Sequence, residues 1–122
     1  MIGPGSDAKV LVYTRPVDFR KGSDSLIALV QHELHQDPFG GVVYIFRSRR
    51  ADRLKILWWD TTGIWLMTKR LEEGRFAWPK IHDGTYRLNA QQMASLVGGL
   101  DWRRVHANRC VLRPRYELGC AA

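Results

Sequence analysis

The sequence predicts a single α+β domain: a mainly antiparallel sheet with two helices. Three strand-like runs follow one another closely between residues 42 and 70. Two segments with apolar residues at helical spacing lie outside that block, at 23–36 and 90–97. The 122 residues are 45% hydrophobic and 25% charged, values typical of one globular domain. We expect residues 1–104 to form the domain and residues 105–122 a basic, flexible tail.

Two elements precede the central strands. Residues 9–14 are β-branched and aromatic, which favours a strand that stops at Arg15-Pro16. Ser23 is placed to cap a helix running through residue 36. This helix has one apolar face, made of Leu26, Ile27, Val30 and Leu34. A turn then follows at 37–41, where a proline and two glycines occur within five residues.

The central block predicts an antiparallel meander of strands at 42–47, 53–59 and 64–70, with a hairpin loop at 60–63. Alternation in the second strand separates its two faces: Leu54, Ile56 and Trp58 against Arg53, Lys55, Leu57 and Trp59. The first set is the better core face. The hairpin should therefore be apolar near its loop and basic at its open end.

A short strand and a helix are predicted to close the domain. The strand covers residues 85–88, and Asn89 is a good N-cap for a helix at 90–97 that closes one end of the sheet. Gly98-Gly99 ends that helix. The hydrophobic pattern then fades after Trp102 and arginines dominate, which indicates the tail.

The charge of the chain favours a polyanionic partner. Its formal charge is +7 and its isoelectric point about 9.9, so DNA is the first candidate. Fourteen of the nineteen basic residues are arginine, whose flat guanidinium binds phosphate through two parallel hydrogen bonds. No signal peptide or membrane span is evident, and Cys110 and Cys120 both lie too late to link the core. We expect a cytoplasmic protein that does not enter membranes.

The densest basic cluster contains Arg47, Arg49, Arg50, Arg53 and Lys55, which with Asp52 carry a local charge of 5 − 1 = +4. Such density is self-repelling unless an anion relieves it, which favours a contact surface over a merely solvated loop. Trp58 and Trp65 are expected in the core, whereas Trp59 is either buried or an exposed stacking surface. Further candidate contacts are Arg103 and Arg104.

Residues 18–22, DFRKG, come just before the first helix. Arg20, Lys21 and the glycine could hold a phosphate at the helix N-terminus. Alternatively, Asp18 pairs with Arg20 and Gly22 only makes the turn. The second interpretation is favoured because the carboxylate of Asp18 weakens an anion site.

Five ordered blocks across residues 8–104 resemble one family. They are DFRKG at 18–22, DPFGG at 37–41, the FRSRR to WD block at 46–60, KRLEEGRF at 69–76 followed by WP at 78–79, and GLDWR at 99–103. The family is the accessory protein, called TnpB or the second open reading frame, of bacterial insertion sequences of the IS-sixty-six type. The resemblance implies a small protein encoded beside a separate transposase, which acts in transposition. The expected partners are DNA and the transposase or a sister accessory protein of the element; the oligomeric state stays open.

No catalytic or metal site is expected. Asp60, Glu72 and Asp101 are scattered, and Asp60 and Asp101 are ordinary turn residues. His32 and His35 are three residues apart, not four as in a zinc helix, and no third ligand follows. We therefore expect a non-enzymatic protein without a cofactor, in which the arginines bind DNA. The alternative is an adaptor whose arginines contact acidic patches of the transposase.

Overall fold

The computed structural model describes residues 8–80 and 84–104; the predicted tail at 105–122 lies outside them. The elements are β1 (Val10–Pro16), α1 (Ser23–His32), β2 (Val43–Arg47), β3 (Arg53–Trp59), β4 (Ile64–Arg70), β5 (Thr85–Leu88), α2 (Ala90–Val97) and a short 3-10 helix (Trp102–Arg104). The strands form one sheet in the order β4-β3-β2-β1-β5. The predicted α+β fold is confirmed.

The sheet combines an antiparallel meander with one parallel pair. β2, β3 and β4 pair antiparallel, as predicted. β1 pairs antiparallel with β5 but parallel with β2, so α1 is the crossover of a β1-α1-β2 unit. This places β2 and β1 inside the sheet and leaves β4 and β5 at its edges.

Both faces of the sheet are covered. One face packs Val12, Ile45 and Leu54 with Leu96 of α2. The opposite face packs Tyr44, Phe46 and Leu57 with Leu26 and Val30 of α1. Since successive side chains of a strand point to opposite faces, β2 is buried on both, and its first four residues are all buried. We call the face that packs against α2 the α2 face and the face that packs against α1 the α1 face.

The sequence predicted a strand at 9–14 that Arg15-Pro16 would stop, but β1 includes both residues and ends at Pro16, which pairs with Arg47. The preceding pair is Val12 with Ile45, so three residues of β1 lie opposite a single residue of β2. Such a bulge tolerates proline, which has no N–H to donate to the ladder. The pairing of β1 with β2 is therefore interrupted at the bulge and resumes beyond it, where the Val17 N–H donates to the Arg47 carbonyl at 3.0 Å.

α1 is shorter than predicted. Ser23 is its first residue, and the N-cap is Gly22, which makes no side-chain capping bond. The helix ends at His32 because His35 adopts a left-handed backbone, with φ at 54°, and the Leu34 N–H turns back to the carbonyl of Leu29. Predictions of a Ser23 cap and of helix to residue 36 are therefore wrong.

α2 has the predicted bounds and N-cap, but it packs on one face of the sheet and does not close its end. The Asn89 side chain accepts a hydrogen bond from the Gln92 N–H, and the Gln92 side chain accepts one from the Asn89 N–H. The helix stops at Gly98, and Gly99 has a φ of 80° that favours glycine. None of the helices in the described part of the chain is long and apolar enough to span a membrane.

Candidate functional site

The turn between β2 and β3, residues 48–52, is held rigidly. Ser48 N–H donates to the Arg53 carbonyl at 3.0 Å, and Ser48 Oγ donates to Asp52 Oδ1 at 3.1 Å while accepting from Arg53 N–H. The Ala51 carbonyl accepts from Phe76 N–H at 2.7 Å. These bonds tie the turn to its own strands and to the segment after β4. The turn therefore presents its exposed side chains from a fixed backbone.

Four arginines surround one side of this turn. Arg53 and Arg70 are direct partners across β3 and β4, at the open end of the hairpin. Together with the exposed Arg49 and Arg50, they line a concavity with a volume of about 300 Å³. We call Arg49, Arg50, Arg53 and Arg70 the arginine surface. Asp52 is the one carboxylate among its described lining residues, and it already accepts the Ser48 hydroxyl.

Arg70 was not among the sequence-predicted contacts, although the sequence contained the signal. The loop at 60–63 pairs Trp59 with Ile64, and each step back along β3 from Trp59 corresponds to one step forward along β4. That register brings Arg70 opposite Arg53. Extending this register from the loop predicts that Arg70 lies beside Arg53.

Phe19 is a second residue that the sequence reasoning missed. The Arg53 guanidinium carbon lies 5.2 Å from the centre of its ring, a cation–π contact. A neighbouring concavity of about 310 Å³, lined by Asp18 and Phe19 among others, shares Arg49 and Arg53 with the arginine surface. The basic surface thus continues from the turn toward the residues before α1.

Lys55 does not belong to a contact surface, and that prediction is corrected. Its side chain is only 8% exposed, and Nζ donates to the carbonyls of Phe19 and Lys21, both at 2.7 Å. Burial, followed by the charge of Arg53, lowers the pKa of its ammonium. Lys55 instead fastens the segment before α1 onto β3.

Arg47 also turns inward, and its assignment to the same surface is corrected. Its Nε donates to the Thr14 carbonyl and its Nη1 to those of Ser48 and Arg49, at 3.2–3.4 Å. It continues the α2 face after Val43 and Ile45, whereas Arg53 is on the α1 face. Burial lowers the pKa of the Arg47 guanidinium.

Arg20 pairs with Asp18, as the favoured interpretation predicted. Arg20 Nη2 lies 2.6 Å from Asp18 Oδ2, and Nε donates to both carboxylate oxygens. These hydrogen bonds hold the pKa of Asp18 well below its ordinary value. The charge of Arg20 is thus already matched within the chain, although its side chain is 91% exposed. Lys21 is half-buried beside it.

Arg103 lies away from the turn at 48–52, next to the α2-face core, and its side chain pairs with Asp101. Its Nε lies 2.9 Å from Asp101 Oδ1, and the neighbouring Trp102 is buried in the α2-face core. Arg104 ends the same 3-10 helix. The structure therefore does not bring Arg103 together with the arginine surface.

The tryptophans lie at the other end of the hairpin. Trp58 and Trp65 stack across the strands at 6.1 Å with a 17° angle between their planes, and both are half-buried. Trp59 is half-buried too and meets the exposed Phe39 edge-on at 5.4 Å. It is six residues along β3 from Arg53, a distance of about 20 Å. Trp59 thus forms no common site with the arginines.

Asp60 has a structural role in the hairpin loop. Its Oδ1 accepts from the N–H groups of Thr62 and Gly63, and its Oδ2 accepts from the Trp65 indole at 2.6 Å. These bonds lower its pKa to about 2. Over residues 8–80 and 84–104, no three His, Cys, Asp or Glu side chains are grouped so as to hold a metal ion.

Fold and surface together define a small basic α+β protein with one concave, arginine-lined face. The family model described as IS66 Orf2 like protein matches residues 8–107, so the chain belongs to this family of transposition accessory proteins. The match confirms the resemblance drawn from the five sequence blocks.

Two relatives come from Sinorhizobium fredii (strain NBRC 101917 / NGR234). "Uncharacterized protein y4jC" is 45% identical over 105 residues, which cover 86% of this chain and 90% of that protein. "Uncharacterized protein y4hO" is 38% identical over 103 residues, which cover 84% and 90% respectively. No solved structure matches the chain.

Proposed function

We propose that this accessory protein has no catalytic role and binds duplex DNA through the arginine surface. The observation that supports this most directly is the pairing of Arg53 with Arg70 across β3 and β4. Like charges directly opposite on neighbouring strands destabilise a sheet. A phosphate placed between the two guanidiniums converts that repulsion into attraction.

The local charge balance favours the same partner. Four arginines line the concavity and one carboxylate, Asp52, accompanies them. Guanidinium groups bind phosphate oxygens through paired hydrogen bonds, which suits a repeating phosphate backbone. Because the turn is held by its own hydrogen bonds, little order has to be gained on binding.

The shape favours a backbone rather than a small metabolite. Two adjoining concavities of about 300 and 310 Å³ share Arg49 and Arg53, and both are open to solvent. An open, charged surface can follow consecutive phosphates, whereas small ligands are usually enclosed by apolar walls.

The test is fluorescence anisotropy of labelled duplex DNA, carrying element ends or random sequence, titrated with salt. Four phosphate contacts predict that log K falls by about 3.6 for each unit of log salt concentration. The Arg49→Glu, Arg50→Glu variant should lose most binding. Its matched control is Lys9→Glu, Arg87→Glu, which makes the same charge change at exposed positions elsewhere on the sheet.

The proposal fails if both double variants bind DNA equally, since only total charge would then matter. It also fails if wild-type binding is insensitive to salt. Element ends bound more tightly than random DNA would add sequence recognition to phosphate contact.

A second candidate function is that of an adaptor for the transposase or a sister accessory protein. The observation that favours it is Phe39, which is 45% exposed and packs edge-on against Trp59, far from the arginines. Exposed aromatic residues of this kind are typical anchors in protein interfaces. A Phe39→Ser variant that no longer co-purifies with the transposase, yet still binds DNA, would support this function for that end of the molecule.

A further inference from the structure

A second basic cleft lies on the α2 face, behind the turn at 48–52. It has a volume of about 490 Å³, within the range of small-ligand sites. Arg15, Arg47 and Lys80 line it, and no described residue that lines it is acidic. The side chain of Arg15 interacts with the hydroxyl of Tyr13 on the α1 face, so the cations of the cleft are Arg47 and Lys80. Its apolar lining includes Trp78 and Pro79. The cleft therefore combines positive charge with an aromatic wall.

The cleft lies beside the bulge of β1 against β2. These strands are parallel, and the bulge between Val12 and Pro16 interrupts their pairing near their carboxyl ends. In sheets with parallel strands this end is where ligands bind, and bulges are enriched beside such sites. The bulge also contains Thr14, whose buried Oγ1 has no hydrogen-bond partner among the described residues. Buried polar atoms without a hydrogen-bond partner are rare in folded proteins.

Arg47 is a half-buried cation that forms no ion pair with a described residue. Its three hydrogen bonds are all to neutral carbonyls, and they use Nε and Nη1. No described residue accepts a hydrogen bond from Nη2. A guanidinium that is partly desolvated and still has free donors is well suited to an oxyanion.

Trp78 supplies a fixed ring. Its indole N–H donates to the Tyr13 carbonyl at 2.8 Å, and its side chain is half-buried against the α2-face core. A ring held in place at a cleft wall can stack with a nucleobase without further ordering.

We propose that this cleft binds one unpaired nucleotide of a DNA strand, with its phosphate on Arg47 and Lys80 and its base against Trp78. The proposal rests on the proposed function, since it takes DNA as the ligand. A cleft of this volume is too small for a duplex. Arg47 also contacts the carbonyl of Arg49, so one turn separates the cleft from the arginine surface. A strand leaving a duplex bound there can reach the cleft across the turn.

The experiment titrates the full chain with 5′-phosphorylated tetrathymidylate. It follows the indole N–H signal of Trp78 by nuclear magnetic resonance, assigned through Trp78→Phe. The signal should shift on binding. Lys80→Ala should weaken binding about tenfold and reduce the salt slope by at most about 0.7, since single strands lose about 0.7 per phosphate contact and the cleft holds one phosphate. Lys80 is exposed, so the fold should persist.

The matched control is Lys9→Ala, which removes one exposed cation just before β1. It should bind tetrathymidylate within about twofold of wild type. Equal losses in both variants would overturn the proposal, as would an unshifted Trp78 signal. Hexaglutamate binding as tightly as the oligonucleotide would also overturn it, because the cleft would then be a general groove for acidic segments.

The Arg49→Glu, Arg50→Glu variant separates the two proposals. If this variant no longer binds duplex DNA but still binds tetrathymidylate, both proposals are supported. If wild type binds tetrathymidylate with a Trp78 shift but does not bind duplex DNA, the cleft holds and the proposed function fails. If wild type binds duplex DNA and the Trp78 signal does not respond to the oligonucleotide, the cleft fails alone.

Discussion

Lys55 donates a 2.7 Å hydrogen bond to the main-chain carbonyl of Phe19, which is 36 residues earlier in the chain. The same ammonium donates to the Lys21 carbonyl and lies 4.8 Å from the centre of the Phe19 ring. A residue that looked like part of a DNA-binding cluster is therefore a fastening between β3 and the segment that leads into α1. The Phe19 ring that it holds also supports Arg53.

Replacing Lys55 should destabilise the fold without removing a DNA contact. Lys55→Met keeps most of the side-chain volume but leaves two carbonyls without their charged donor, which should cost about 2 kcal/mol of unfolding free energy. Urea denaturation measures this. DNA affinity of the folded variant should fall only slightly. A variant as stable as wild type that no longer binds DNA would restore Lys55 to the contact surface.

Removing Arg70 should move stability and DNA binding in opposite directions. Arg70→Gln ends the like-charge pairing with Arg53, so the unfolding free energy should rise by about 0.5 kcal/mol, while DNA affinity falls. Denaturation and anisotropy at one salt concentration test both. A fall in both quantities would show that Arg70 stabilises the sheet rather than serving a ligand.

Replacing Thr14 should stabilise the protein. Its buried Oγ1 has no partner among the described residues, and Thr14→Val replaces that hydroxyl with a methyl group of similar size. We expect a gain of about 1 kcal/mol and a rise in Tm of roughly 4 °C. Thr68→Val, an exposed position on β4, controls for the strand preference of valine. Equal gains at both positions would mean that the buried hydroxyl costs nothing.

Asp60 should contribute an acid-sensitive part of the stability. Its pKa is lowered from 3.8 to about 2 in the folded chain, so its contribution is complete above pH 3.8 and is lost as the pH falls toward 2. The Asp60→Asn variant has no carboxyl group to titrate at this position. The stability difference between wild type and the variant should therefore shrink between about pH 4 and pH 2. Thermal melts across that range measure it, and a constant difference would contradict the assignment.

The local sequence pattern was sufficient to predict much of the fold. Alternation and the loop at 60–63 predict β3 and β4 with their observed bounds, and Asn89 with Gly98-Gly99 predicts α2. These features depend on neighbours within a few residues, which a sequence shows directly. The same holds for the Asp18–Arg20 pair and for the role of Asp60 in its loop.

The tertiary structure decided which charges belong to the arginine surface. The sequence by itself determined a dense basic cluster at 47–55, but it could not tell that Lys55 and Arg47 turn inward while Arg49, Arg50 and Arg53 stay exposed. Their directions depend on carbonyls of Phe19 and Thr14, which come near only when β1 pairs in parallel with β2. A buried cation must satisfy its donors, and the acceptors of Lys55 and of Arg47 Nε lie more than thirty residues away along the chain.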